Sequence, residues 1–253
     1  MSKEMIASLL AKGTRLDGRK PEDFREVSVE YGVSTGAEGS ARVKIGETEV
    51  LAGVKLELGT PYSDTPDQGA LMVGAEFLPM ASPEFELGPP RINSIELARI
   101  VDRGIRESHT VDMKKLCIEK NEKVWMVIID VCTINDAGNL MDAAALAAIA
   151  ALKDTKFPEI DGDHVDYKKK TTKKLPLNEA PVAITVFKIG KDIFVDPTVE
   201  EGKEYDARVT SAITEDGNLC AMQKGGEATL SADEIVKMVD LAIKKSKELR
   251  AKL

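Results

Sequence analysis

Val124-Trp125-Met126-Val127-Ile128-Ile129 is followed shortly by Asn135-Asp136-Ala137-Gly138-Asn139-Leu140-Met141-Asp142, which runs into the alanine-rich stretch 143–152. A continuous apolar run of this length predicts a strand over 124–133, central in its sheet and buried on both faces. The polar cluster after it is a turn, with Asp136 suited to cap it. A helix over 141–153 follows, whose small side chains let it lie close on a sheet. Strand, turn and helix in this order set the expectation of an α+β domain.

The same rhythm extends outward on both sides. Met5, Ile6, Leu9 and Leu10 recur at helical spacing over 2–12, and Gly13 stops that helix. Val27, Val29 and Tyr31 alternate with polar residues. Segments 40–45 and 48–58 form a hairpin across Gly46-Glu47. Residues 59–69 are a loop, 70–78 a strand, and the proline-rich 79–90 a second loop. Ser94 is the expected N-cap of a helix over 95–108, with Ile95, Val101 and Ile105 on its buried side. Residues 116–119 also read as a strand. Downstream, 157–172 is polar and aperiodic, which predicts a long loop. Strands over 182–189, 193–195, 206–214 and 219–223 restart the pattern. Ser231 and Glu234 form a capping box for a final helix. The chain reads as one unit, 1–253, with halves 1–156 and 176–253 joined by the polar loop.

Composition narrows the class. The 253 residues suffice for one large domain. Aromatics are only 4%, so the core is aliphatic. No segment approaches the roughly 20 apolar residues of a membrane span, and Met1-Ser2-Lys3-Glu4 does not read as a secretory leader. Cys117, Cys132 and Cys220 are far apart and form no metal cluster with His109 or His164. A cytoplasmic protein without metal or cofactor is the expectation. The net charge of −8 argues against a generic nucleic-acid binder, although it leaves room for a local basic stripe.

Two basic features stand out. Arg99, Arg103 and Arg106 fall within roughly a 60° arc of the helix predicted over 95–108. Three guanidiniums on one face repel unless an anion lies between them, and their planar fork suits phosphate oxygens. Glu96, Asp102 and Glu107 lie within three or four residues, so a self-paired solvated face explains the pattern equally well. The run Lys168-Lys169-Lys170-Thr171-Thr172-Lys173-Lys174 lacks interleaved aromatics and reads as a mobile surface loop. Gly225-Gly226 is a turn, since no Gly-Lys-(Ser/Thr) follows. No Gly-x-Ser-x-Gly nucleophile elbow occurs. Glu200, Glu201 and Asp206 read on their own as loop charge.

Several stretches together resemble the RNase PH family. They are Arg15-Leu16-Asp17-Gly18-Arg19, Thr60-Pro61-Tyr62-Ser63-Asp64-Thr65-Pro66-Asp67, and Ala81-Ser82-Pro83-Glu84-Phe85-Glu86-Leu87-Gly88-Pro89-Pro90 with the helix after it. Asp196-Pro197-Thr198 is a further mark. Across its length the chain is similar to the non-catalytic RNase PH-like subunit of the archaeal exosome. The resemblance implies an RNase PH fold (ribosomal protein S5 domain 2-like): two similar β/α halves with mixed sheets and packed helices. It implies a ring of three heterodimers with a catalytic RNase PH-like subunit, RNA-binding caps on one face, and single-stranded RNA threading the channel. Arg99 and Arg103 match arginines that contact RNA phosphates near the partner's site; Arg106 shares their helix.

In catalytic members, the segment equivalent to 136–140 carries Asp-Gly-Gly-(Thr/Ser)-Arg, and the one around 200–202 a Glu-Asp pair. Leu140 stands here in the arginine's position and Gly202 in the reactive aspartate's. Phosphorolysis brings an anionic nucleophile to an anionic diester, so it needs donors to hold the phosphate and a carboxylate near the leaving oxygen. Leu140 and Gly202 supply neither, and no catalytic residue is expected. The alternative is an active phosphate-dependent exoribonuclease using Glu201, Asp206 and another arginine. On a strand Glu201 would point away from its neighbour's face, whereas on a loop it could reach inward.

Overall fold

The computed structural model describes residues 2–161 and 164–253. In chain order the elements are α1 (Lys3–Leu10), β1 (Val27–Tyr31), β2 (Gly39–Ile45), β3 (Thr48–Gly59), β4 (Ala70–Phe77) and α2 (Ile92–Glu107). A 3-10 turn (Met113–Leu116), β5 (Cys117–Glu119), β6 (Lys123–Asn135) and α3 (Leu140–Asp154) follow. Then come β7 (Lys156–Asp161), β8 (His164–Lys174), β9 (Val182–Ile189), β10 (Asp192–Val195), α4 (Val199–Lys203), β11 (Ala207–Ile213), β12 (Leu219–Gly225) and α5 (Ala232–Arg250).

The first sheet has the order β1-β2-β3-β6-β4, with β5 also on β6. It is mixed: β4 runs parallel to β6, and α2 lies between them in sequence. The second sheet, β10-β9-β11-β12, is antiparallel throughout. Helix α3 packs on β2 and β3 of one sheet, on β9 of the other, and on α2. Asp142 through Leu152 are all buried. Alanine makes this possible, because a larger side chain would force the layers apart. Gly39 marks how close the approach is: a Cβ there would lie 2.3 Å from Thr155 Oγ1 and 2.5 Å from the Ala151 carbonyl. One aliphatic cluster joins both sheets through α3. A smaller one seats Ile6 and Leu10 of α1 against Phe187, Ile189 and Phe194.

The structure corrects several expectations. β6 is central but not buried on both faces; Trp125, Val127, Ile129 and Val131 point into the core, while Met126 and Ile128 are half-buried and Asp130 is exposed. Within the polar stretch, residues 157–161 and 164–172 are not a loop but lie in a two-stranded antiparallel sheet, β7–β8, so the lysine run lies on a strand. Its residues are largely exposed, and its register is interrupted twice, which erases the alternation that marks a half-buried strand. Helix α2 starts at Ile92, a turn earlier than expected. Ser94 lies inside it and donates to the Arg91 carbonyl at 2.9 Å rather than capping. Ile95 is exposed, and Leu97 and Ile100 take its place on the buried side. The capping box of α5 forms as expected.

Candidate functional site

The two family-like segments meet across the molecule at Gly138. Its φ of 94° is open to glycine. A Cβ there would also lie 2.3 Å from the Pro197 carbonyl oxygen. The contact is fixed from three directions. Thr48 Oγ1 donates to the Gly138 carbonyl at 2.6 Å. Arg25 donates to the Ala137 and Gly138 carbonyls at 2.8 and 3.1 Å. Asn139, itself left-handed at φ 60°, donates from Nδ2 to Asp196 at 3.0 Å and to Asp142 at 3.1 Å. Asp136 caps the turn by accepting from the Gly138 N–H at 2.9 Å.

Asp196 is the hub. Its side chain is fully buried and accepts from Arg19 at 2.7 Å and from Arg25 at 2.7 and 2.9 Å. Arg15 donates to the Val195 and Asp196 carbonyls at 2.8 Å each and makes a two-pronged ion pair with Glu201. Both side chains of that pair are fully buried. The Arg15-Leu16-Asp17-Gly18-Arg19 motif is therefore a clamp that ties the N-terminal segment to the 195–201 turn. Sequence reading missed this clamp and the role of Arg25, because each pair spans well over a hundred residues. The one available signal was buried-pair stoichiometry: arginines early in the chain and unassigned acidic residues late.

A cavity of about 270 Å³ opens over the junction, lined by Leu140 and Gly202 among others. Two cations reach it, and each has a carboxylate partner, while the buried Arg208 Nη1 has no hydrogen bond among the described residues. Lys203 pairs with Glu84. Arg208 pairs with Glu96 at 2.8 Å and is buried. Glu201 lies on α4, neither strand nor loop, and turns inward to Arg15 and to the backbone of Thr198. Asp206 faces away from the cavity. It pairs with Lys3 at 2.5 Å and accepts from the Gly190 N–H at 2.6 Å. The Lys3 hydrogen bond holds its carboxyl below the usual range. Neither carboxylate of the catalytic alternative is thus available at the cavity. Behind it, burial pushes the Asp142 carboxyl up to about 7, against hydrogen bonds from Thr185 and Asn139 and with added repulsion from Asp196. Among the described residues no group of three or more His, Cys, Asp or Glu side chains is placed to hold a metal.

The arginine stripe is exposed as expected, but its three members differ. Arg103 pairs with Glu107 at 2.7 Å, and Arg106 pairs with Asp102 at 2.6 Å and donates to the Leu71 carbonyl at 3.2 Å. For these two the self-paired reading describes the isolated chain. Among the described residues Arg99 has no ion pair or hydrogen bond, because Glu96 turns away to Arg208 and to Gln223. Pairs as exposed as Arg103–Glu107 contribute about 0.3–0.5 kcal/mol each, so an incoming polyanion can displace them.

Family models for the 3' exoribonuclease family match in two parts, domain 1 over residues 23–158 and domain 2 over 179–245. The exosome complex component Rrp42 of Methanocella arvoryzae is 48% identical, with 100% of this chain and 95% of the relative aligned. Among solved structures, a chain of the Archaeoglobus fulgidus exosome with RNA bound to the active site superposes with a TM-score of 0.91 at 45% identity, covering 99% of this chain and 96% of its own. A chain of an archaeal exosome core gives 0.86 at 42% identity, covering 99% and 95%. The Leu140–Gly202 frame, the Arg15 clamp and these matches lead to one statement: the chain belongs to the 3' exoribonuclease family and has the RNase PH fold.

Proposed function

We propose that this chain is a non-catalytic subunit of an exosome, a 3'–5' phosphorolytic exoribonuclease complex, acting in the cytoplasm. In this reading its halves, 1–156 and 176–253, work as one unit. The chain alternates with a catalytic relative in a ring of three heterodimers, supports the relative's active site and contacts RNA phosphates through α2. RNA-binding caps complete the assembly. Support comes from full-length relatives named as exosome components and from a solved relative with RNA in its complex.

The observation that carries the non-catalytic assignment is that Leu140 and Gly202 line the cavity in place of a phosphate-holding arginine and a reactive carboxylate. An attacking phosphate needs free cationic or N–H donors, and the leaving oxygen needs a carboxylate. Leu140 and Gly202 offer none, Arg208 is buried against Glu96, Lys203 meets Glu84 in a surface pair, and Glu201 is sealed against Arg15. Arg99 favours a role toward RNA because its charge is unmatched among the described residues. The test is a ring reconstituted with a catalytic relative and carrying Arg99→Glu and Arg103→Glu. Single-stranded RNA binding falls and its salt dependence flattens, while the native mass of the ring is unchanged. Unaltered affinity across a salt series would remove the assigned role of α2.

A further inference from the structure

We propose that the groove between α2 and the second sheet seats one nucleotide of single-stranded RNA, its base on an apolar floor and its phosphate on Arg99. The inference rests on the proposed RNA-contacting role of α2 and assigns it a base-binding subsite.

The register builds the floor. Ala212 of β11 lies directly opposite Ala183 of β9 on one side and Ala221 of β12 on the other. Two residues along, on the same face, Thr210 lies opposite Thr185 and Gln223. A row of methyl groups thus runs beside a row of polar side chains across three strands. Helix α2 covers the alanine row at Gly104, where a Cβ would sit 3.6 Å from the Ala212 Cβ. Toward Arg99 the space opens into a groove of about 330 Å³. That volume lies near the lower end of the roughly 300–1,000 Å³ typical of small-ligand sites.

Each wall has a matching chemistry. Ile100 and the alanines present a shallow apolar surface suited to the face of an aromatic ring. The Gln223 amide nitrogen is held by Glu96 at 3.0 Å, which leaves its carbonyl oxygen to accept from a base edge. Arg99 and Arg103 stand at the rim, and Arg99 lacks any partner in the described structure. A bare phosphate would leave the apolar floor unused, and an apolar peptide would leave Arg99 unmatched. A nucleotide satisfies both, with a planar base and an anion a short distance apart.

The test uses the ring reconstituted with a catalytic relative, bound to fluorescent single-stranded RNA in which one base at a time is replaced by an abasic unit. The parent ring loses about five- to tenfold in affinity at one position, as expected for a stacked base. Ala221→Leu, which fills the groove, lowers affinity for intact RNA by a similar factor and abolishes the extra loss at that position. Gln223→Ala, on the groove face of the edge strand β12, shows a smaller loss of the same kind. If both variants bind intact RNA like the parent while Arg99→Ala weakens it, the groove assignment falls and the RNA-contacting role of α2 stands. If Arg99→Ala is silent too, both fall. Should the Ala221→Leu ring not assemble, the abasic scan of the parent with Gln223→Ala decides: no position-dependent loss overturns the proposal.

Discussion

Asp196 sits in the left-handed region at φ 49°, fully buried, with the Arg19 and Arg25 guanidiniums on its carboxylate. A non-glycine residue in that conformation is held by its surroundings, and here the surroundings are the two cations and Asn139. Asp196→Ala strands two largely buried guanidiniums and is expected to cost about 3–5 kcal/mol in urea unfolding. A loss below about 1 kcal/mol would show that the clamp does not hold the turn. Asp142 gives a pH signature. Its carboxyl titrates near 7 when folded, whereas an unfolded aspartate titrates near 4. Between those values the folded chain binds the extra proton, so this group's contribution to stability is complete below about pH 4 and is lost as pH rises through 7. The stability of Asp142→Asn relative to the parent should therefore climb from pH 4 to pH 7 in matched urea titrations. A flat difference would show that the buried carboxyl titrates normally.

Elements announced themselves in the sequence to the degree that their causes are local. Helix α5 was readable because Ser231 and Glu234 satisfy each other's backbone donors within one turn. Ser231→Ala is expected to cost about 1 kcal/mol, seen as a lowered thermal midpoint with an unchanged fold. The site of α3 was readable because only small side chains can be packed on both sides. The ribbon β7–β8 was not, because it is exposed along most of its length and carries no alternation to detect. The start of α2 was misplaced for a related reason: Ile92 and Ile95 are exposed, so the amphipathic pattern begins later than the helix does. Helix α4 is short, and its capping box at Thr198 and Glu201 was read only as loop charge.

At the scale of the molecule, the segments around Leu140 and Gly202 could be aligned with a catalytic frame from sequence, but what surrounds them could not. The pairs Arg15–Glu201, Arg25–Asp196, Glu96–Arg208 and Glu84–Lys203 each join residues more than a hundred positions apart. Folding both halves around α3 is what brings them together, and the result is a cavity where Arg208 is buried against Glu96 and Glu201 is turned away to Arg15. No helix among the described residues is long and apolar enough to cross a membrane. The exposed arginines of α2, by contrast, lie outside this internal pairing or in weak surface pairs, so function is expected at the surface and in the assembly. The most direct measurement is nucleoside diphosphate release from single-stranded RNA by the purified chain alone, with inorganic phosphate and without any partner. The account predicts none above the protein-free control. Phosphate-dependent release that stays with the pure, folded chain through successive purification steps would contradict it.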